Sequence, residues 1–165
     1  MVLGCARHTA RIQAPTPTRV VTESGIKLKV YDYEHFKAFL AVSDDDTIRV
    51  VNFWATWCTP CVAELPVFER LNTEYRGERV EVVLVSLDFP DQIHSRLIPF
   101  MEQKGLKAEV ILLDDAHGDV WIPEVSDSWS GAIPATLIIT SETYNFYERS
   151  FNYQDLEDLV LQLKS

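Results

Sequence analysis

Two cysteines with two residues between them, Cys58-Thr59-Pro60-Cys61, are the residues of this chain best suited to chemistry. Thiol exchange needs a thiolate that attacks and a second thiol close enough to resolve the mixed disulfide. A C-x-x-C that opens a helix supplies both. The first cysteine then meets the free N–H groups and the positive end of the helix dipole, which favour an anion. Such settings lower a cysteine pKa from about 8.5 to roughly 3.5–7.5. The spacing therefore predicts Cys58 as the nucleophile. Cys61, one turn deeper, is predicted to be the resolving thiol. Pro60 suits the first turn, where a missing N–H costs little. Two other readings compete. A zinc site needs further ligands at partner spacing, and His8, His35, His94 and His117 are scattered. A structural disulfide closing so short a loop gains little chain entropy.

The elements around the pair follow from hydrophobic periodicity. Ile48 to Ala55 is β-branched and aromatic and reads as a buried strand leading into the cysteines. Val62, Leu65, Phe68, Leu71 and Tyr75 recur at helical spacing until Gly77, with a bend expected at Pro66. A second strand is predicted over Val80–Leu87. A helix marked by Ile93, Leu97, Phe100 and Met101 follows, broken or bent at Pro99, and then a third strand over Ala108–Leu113. Asp114–Gly131 reads as loop with a short helical turn. Ala135–Thr140 and Tyr144–Ser150 form a predicted hairpin. Leu156, Leu159, Val160 and Leu163 give the last helix, and Tyr33, Phe36 and Leu40 an early one. Residues 6–25, rich in Thr, Pro and Arg, read as an extended linker. Hence the expected division is a flexible arm over 1–26 and one folded domain over 27–165. The order β–α–β–α–β, then β–β–α, implies an α/β sheet with helices on both faces, parallel early strands and a final hairpin.

Bulk properties narrow the function. The chain has 165 residues, 47% of them hydrophobic, enough for one domain with an ordinary core. Its net charge of −10 argues against a nucleic-acid partner, because phosphate binding needs a basic face. The charge is uneven: Arg7, Arg11, Arg19, Lys27 and Lys29 face Glu23 alone within the first 30 residues. No apolar run reaches the ~18 residues that span a membrane. Gly4-Cys5 is similar to the end of a bacterial lipoprotein signal, which makes a lipid anchor at Cys5 an expectation; the alternative is an ordinary thiol on the arm.

The run Val51-Asn52-Phe53-Trp54-Ala55-Thr56-Trp57-Cys58-Thr59-Pro60-Cys61, with Glu64-Leu65-Pro66 after it, and the segment Gly131-Ala132-Ile133-Pro134-Ala135-Thr136 resemble the thioredoxin superfamily. Within it they resemble the TlpA/ResA-type extracytoplasmic reductases, over about residues 47–164. The resemblance implies a thioredoxin fold: a central mixed sheet, helices on both faces, and a C-terminal hairpin plus helix. It implies a cis peptide bond at Pro134, beside the cysteines, turning the backbone of Ile133 toward a substrate that pairs as an added strand. It implies that Glu64 assists proton movement at Cys61. Asn52 departs from cytosolic thioredoxins, which keep a buried aspartate there, and this makes Glu64 the better proton acceptor. Trp57, Thr59, Pro60, Ile133 and Pro134 are the expected substrate-facing residues. Trp54 is expected in the core, and Trp121 and Trp129 pack under the long loop, a binding role being the alternative. The implied activity is that of a periplasmic protein-disulfide reductase without organic cofactor or metal. Disulfide-containing exported proteins, apocytochromes c among them, are the implied substrates, and a membrane thiol carrier the electron donor. An oxidase or isomerase of the same fold, a peroxidase and a metal-delivery module are the rivals.

Overall fold

A computed structural model describes residues 15–41 and 46–164. Seven strands form one sheet among these residues: β1 (Arg19–Glu23), β2 (Ile26–Tyr31), β3 (Ile48–Trp54), β4 (Val80–Ser86), β5 (Glu109–Leu113), β6 (Ala135–Ile139) and β7 (Tyr144–Tyr147). Their spatial order is β1-β2-β5-β4-β3-β6-β7. β2, β5, β4 and β3 run parallel to their neighbours, whereas β6 pairs antiparallel with β3, β7 with β6, and β1 with β2. The helices are α1 (Tyr33–Ala41), α2 (Thr59–Glu74), α3 (Ile98–Lys104), α4 (Gly118–Val125) and α5 (Tyr153–Lys164).

Every residue of β3 is buried, as a strand flanked by others and covered on both faces requires. The pleat sends alternate side chains to opposite faces. Ile48, Val50 and Trp54 join the core that includes Leu65, Phe68 and Leu71 of α2 and Leu156 and Val160 of α5. Val51 and Phe53 join the other core, with Phe36 of α1, Trp121 of α4 and Trp129. Asn52 occupies a place in the first row, so the pleat aims a polar side chain at α2.

Several elements differ from the sequence reading. Arg19–Glu23 is not part of a flexible arm: it pairs with β2 over five residue pairs, from Arg19↔Val30 to Glu23↔Ile26. Ser24 and Gly25 both have positive φ, the conformation of a two-residue hairpin turn whose twist matches the strands. The folded unit thus begins before residue 27. Cys5 and the rest of the first fourteen residues lie outside the described residues. The short helical turn expected within Asp114–Gly131 is a two-turn helix, α4, longer than its two buried residues, Trp121 and Val125, signal by periodicity. Pro66 lies inside α2, where the spacing places it, and sits on the exposed side of the helix. Ahead of Pro99, which has no N–H to give, the chain widens into a π turn over Ile93–Leu97, with Ile98 N–H bonding the Ile93 carbonyl.

Candidate active site at the head of α2

Strand β3 ends at Trp54, and the chain turns once before α2: Cys58 N–H bonds the Ala55 carbonyl at 3.1 Å. Cys58 is then the N-cap of α2, and its sulfur accepts from Cys61 N–H at 3.4 Å. Pro60, in the first turn, has no N–H to leave unpaired. Cys58 and Cys61 are joined by a disulfide, with Cα atoms 5.2 Å apart. The structure is thus the oxidised state. In the reduced state the same Cys61 N–H and the helix N-terminus favour a thiolate at Cys58.

The two sulfurs are not equally placed. Cys58 keeps 6% of its surface and Cys61 none. Around Cys58, the Trp57, Thr59 and Pro60 side chains are exposed. The Ile133–Pro134 peptide bond is cis, and the Ile133 carbonyl oxygen lies 3.7 Å from the Cys58 sulfur. Pro134 is buried and Ile133 half-buried. The structure brings all of these residues to one end of the sheet, where β3 hands over to α2 and the chain enters β6.

Glu64 follows Cys61 by three residues, on the same side of α2. It is 4% exposed. Its Oε1 accepts from Asn52 Nδ2 at 3.0 Å and its Oε2 from Phe151 N–H at 2.9 Å. Burial pushes its pKa above the ordinary carboxylate value, and the Phe151 and Asn52 donors oppose that rise without cancelling it. An acid so held accepts a proton more readily than an exposed glutamate. Asn52 Nδ2 also lies 3.3 Å from Thr136 Oγ1 and 3.4 Å from the Ala135 carbonyl, so the amide bridges α2 and β6. Its Oδ1 is buried without a partner.

Sequence reasoning missed Phe151, Thr136 and Asp88. Phe151 is 87 residues from Glu64, and only the packing of α5 against α2 brings them together. Asp88 accepts hydrogen bonds from Thr56, 32 residues away, across the end of the β3–β4 pair. No local spacing signals either contact. Trp121 and Trp129 are buried, their indole N–H groups bonded to the carbonyls of Asp115 and Ala132, and they stack edge-on at 5.7 Å. They are packing residues. The described histidines pair with acids: His35 with Asp32, His94 with Glu23 and His117 with Asp115. Among the described residues no three His, Cys, Asp or Glu side chains converge as metal ligands.

The site has counterparts in known proteins. Thiol-disulfide oxidoreductase ResA of Oceanobacillus iheyensis is 47% identical over 49 residues, which is 30% of this chain and 26% of that protein. The protein of the same name from Bacillus thuringiensis is 31% identical over 107 residues, or 64% of this chain and 54% of its own length. The chain thus spans about half or less of these relatives. A crystal structure of a thioredoxin-family thiol:disulfide interchange protein from Chlorobium tepidum covers 92% of this chain and 97% of its own, with a TM-score of 0.61 at 18% identity. That likeness establishes the thioredoxin fold. The AhpC/TSA family matches residues 35–143, well over half the chain and including both cysteines, Glu64 and Pro134, and the chain belongs to that family.

Proposed function

We propose that this protein is a thiol-disulfide oxidoreductase that reduces protein disulfides. The observation that carries the reading is the asymmetry of the pair: a Cys58 that keeps a small accessible edge, 6% of its surface, at the head of α2, and a sealed Cys61 followed by a buried Glu64. The Cys58 thiolate attacks a substrate disulfide, a Cys58–substrate bond forms, and the first substrate sulfur leaves and takes up a proton. Glu64 accepts the Cys61 proton. The Cys61 thiolate attacks the Cys58 sulfur, releasing the second substrate thiolate and closing the Cys58–Cys61 disulfide. Two electrons pass from the protein dithiol to the substrate. The Ile133 backbone beside Cys58 offers the substrate main chain a strand-like partner, with Trp57, Thr59 and Pro60 forming the exposed contact surface and the buried, cis-bonded Pro134 beneath it.

An external thiol must then restore the dithiol. The resemblance supports a membrane thiol carrier in that role, exported proteins including apocytochromes c as substrates, and a site of action outside the cytoplasm, in the periplasm. A lipid anchor at Cys5 would fit that location. No described helix is long and apolar enough to cross a membrane. The test is the reduction potential of the Cys58–Cys61 couple, with insulin reduction measured beside peroxide consumption. A potential near the reducing end, about −270 mV as in thioredoxin, with insulin reduced and peroxide spared, is expected. A potential near −120 mV, the range of strong oxidants, would reverse the direction, and peroxide consumption without insulin reduction would make it a peroxidase.

A further inference from the structure

One buried acid beside the redox pair has no part in that scheme. Asp88 follows β4 and is 2% exposed. Beyond the Leu87 N–H bond to the Trp54 carbonyl at 2.8 Å, β3 and β4 diverge, β3 into the turn before Cys58 and β4 into Phe89-Pro90. Asp88 sits in the fork. Its two oxygens accept from Thr56 N–H at 3.1 and 3.2 Å, and Oδ1 also accepts from the Thr56 hydroxyl. Ser86, wholly buried, donates its hydroxyl to Asp88 Oδ2 at 2.8 Å and accepts the Asp88 N–H at 3.0 Å. The donors in these bonds are neutral.

We propose that Asp88 is a positioning residue for the nucleophile: from the end of β4 it holds the turn that delivers Cys58 to the head of α2. The Ala55–Cys58 turn closes through Cys58 N–H, which leaves the Thr56 N–H at its centre without a partner inside the turn. Asp88 takes that N–H. Fixing Thr56 fixes the direction of Trp57, which is displayed at 48% exposure, and the seat of Cys58. Two contacts of the Cys58 sulfur depend on that seat, with Cys61 N–H at 3.4 Å and with the Ile133 carbonyl at 3.7 Å. A misplacement of about 1 Å in such a constellation typically costs about a hundredfold in rate. Burying a carboxyl group is costly, and here the donors that offset the cost are those of the nucleophile turn and Ser86. The inference rests on Cys58 being the attacking thiol.

The experiment follows iodoacetamide alkylation of the reduced full chain against pH, with the modified cysteine mapped by peptide mass. Asp88→Ala, folded by circular dichroism, should alkylate Cys58 about tenfold more slowly at neutral pH, with the midpoint raised by about one unit. Asp88→Asn keeps an acceptor oxygen for the Thr56 N–H and should stay within about threefold of wild type. Thr56→Val removes only the hydroxyl bond, should shift the midpoint upward by less, and serves alone if Asp88→Ala does not fold. A folded Asp88→Ala with the wild-type midpoint overturns the proposal, as does Thr56→Val unchanged from wild type, or Asp88→Asn as impaired as Asp88→Ala. Wild-type protein labelled first at Cys61 would instead overturn the assignment of the nucleophile.

Discussion

Strand β3 has a buried polar group near each end, and the two are handled differently. Arg49, 8% exposed, lies one residue in from the start of the strand, directly across from Glu81 on β4. Its Nε donates to Glu81 at 2.6 Å, its Nη1 to the Phe39 carbonyl at 2.7 Å, and the guanidinium lies 4.6 Å from the centre of the Phe39 ring. A charge paired in this way is a fixed part of the fold. Three residues on, Asn52 faces Glu64, and no cation takes part in the bonds that hold that acid. An acid held by neutral donors in a sealed place can change its protonation without breaking an ion pair. The difference separates a group that maintains the structure from one free to serve the proton transfer proposed for it.

The largest effect expected is at the cysteines themselves. Cys58→Ser should abolish disulfide exchange, while Cys61→Ser should attack once and stall, accumulating a covalent adduct with the substrate that mass spectrometry detects. An adduct on Cys61 in Cys58→Ser, and none in Cys61→Ser, would exchange the two roles. At the far end, Arg49→Ala leaves Glu81 and the Phe39 carbonyl without their donor. Because Glu81 is more than a third exposed, the loss is screened and should be about 2 kcal/mol in urea unfolding. Exchange per folded molecule should not change. An Arg49→Ala protein that is fully stable, or folded but slow in exchange, would erase the contrast between the two ends.

The smallest effect concerns stability against pH. The Glu64 pKa is raised on folding because burial disfavours its charge. Its favourable contribution is therefore fully present below the ordinary glutamate range and declines as pH rises through the folded value. The amide that replaces the carboxyl group in Glu64→Gln does not titrate. Relative to wild type, the variant should gain stability as pH rises from 4, near the ordinary glutamate pKa of about 4.3, to 7. Urea unfolding of the oxidised proteins at both pH values checks the sign, and a wild type that gains on the variant with rising pH would contradict it.

Much of the site could be read in the chain because its signals are local. The cysteine pair, its helix and the strand before it lie within one stretch, where apolar spacing and a Pro in the first turn have direct meaning. The Ile133-Pro134 segment entered through resemblance alone, since nothing in its composition ties it to Cys58 75 residues earlier. Asn52 was legible as an absence, a missing carboxylate, but not as the partner of Glu64. That role needs both the pleat of β3 and the facing side of α2. Asp88 and Phe151 were illegible because their bonds cross between elements far apart in sequence. The β1 strand was lost for another reason. Its edge position leaves most of it exposed, and its short β-branched run Val20-Val21-Thr22 follows directly on a Thr- and Pro-rich segment, so the Ser24-Gly25 turn was the available clue.

In the proposed exchange the buried acid of α2 takes the proton of the buried thiol. The direct measurement is the release of substrate from a preformed Cys58 mixed disulfide, followed in a single turnover across pH 6–8, a range below and up to the ordinary thiol pKa of about 8.5. With Glu64 as the acceptor, Glu64→Gln should release substrate about a hundredfold more slowly at neutral pH and recover speed only as pH approaches the ordinary thiol range. Superimposable profiles for wild type and Glu64→Gln would contradict the account.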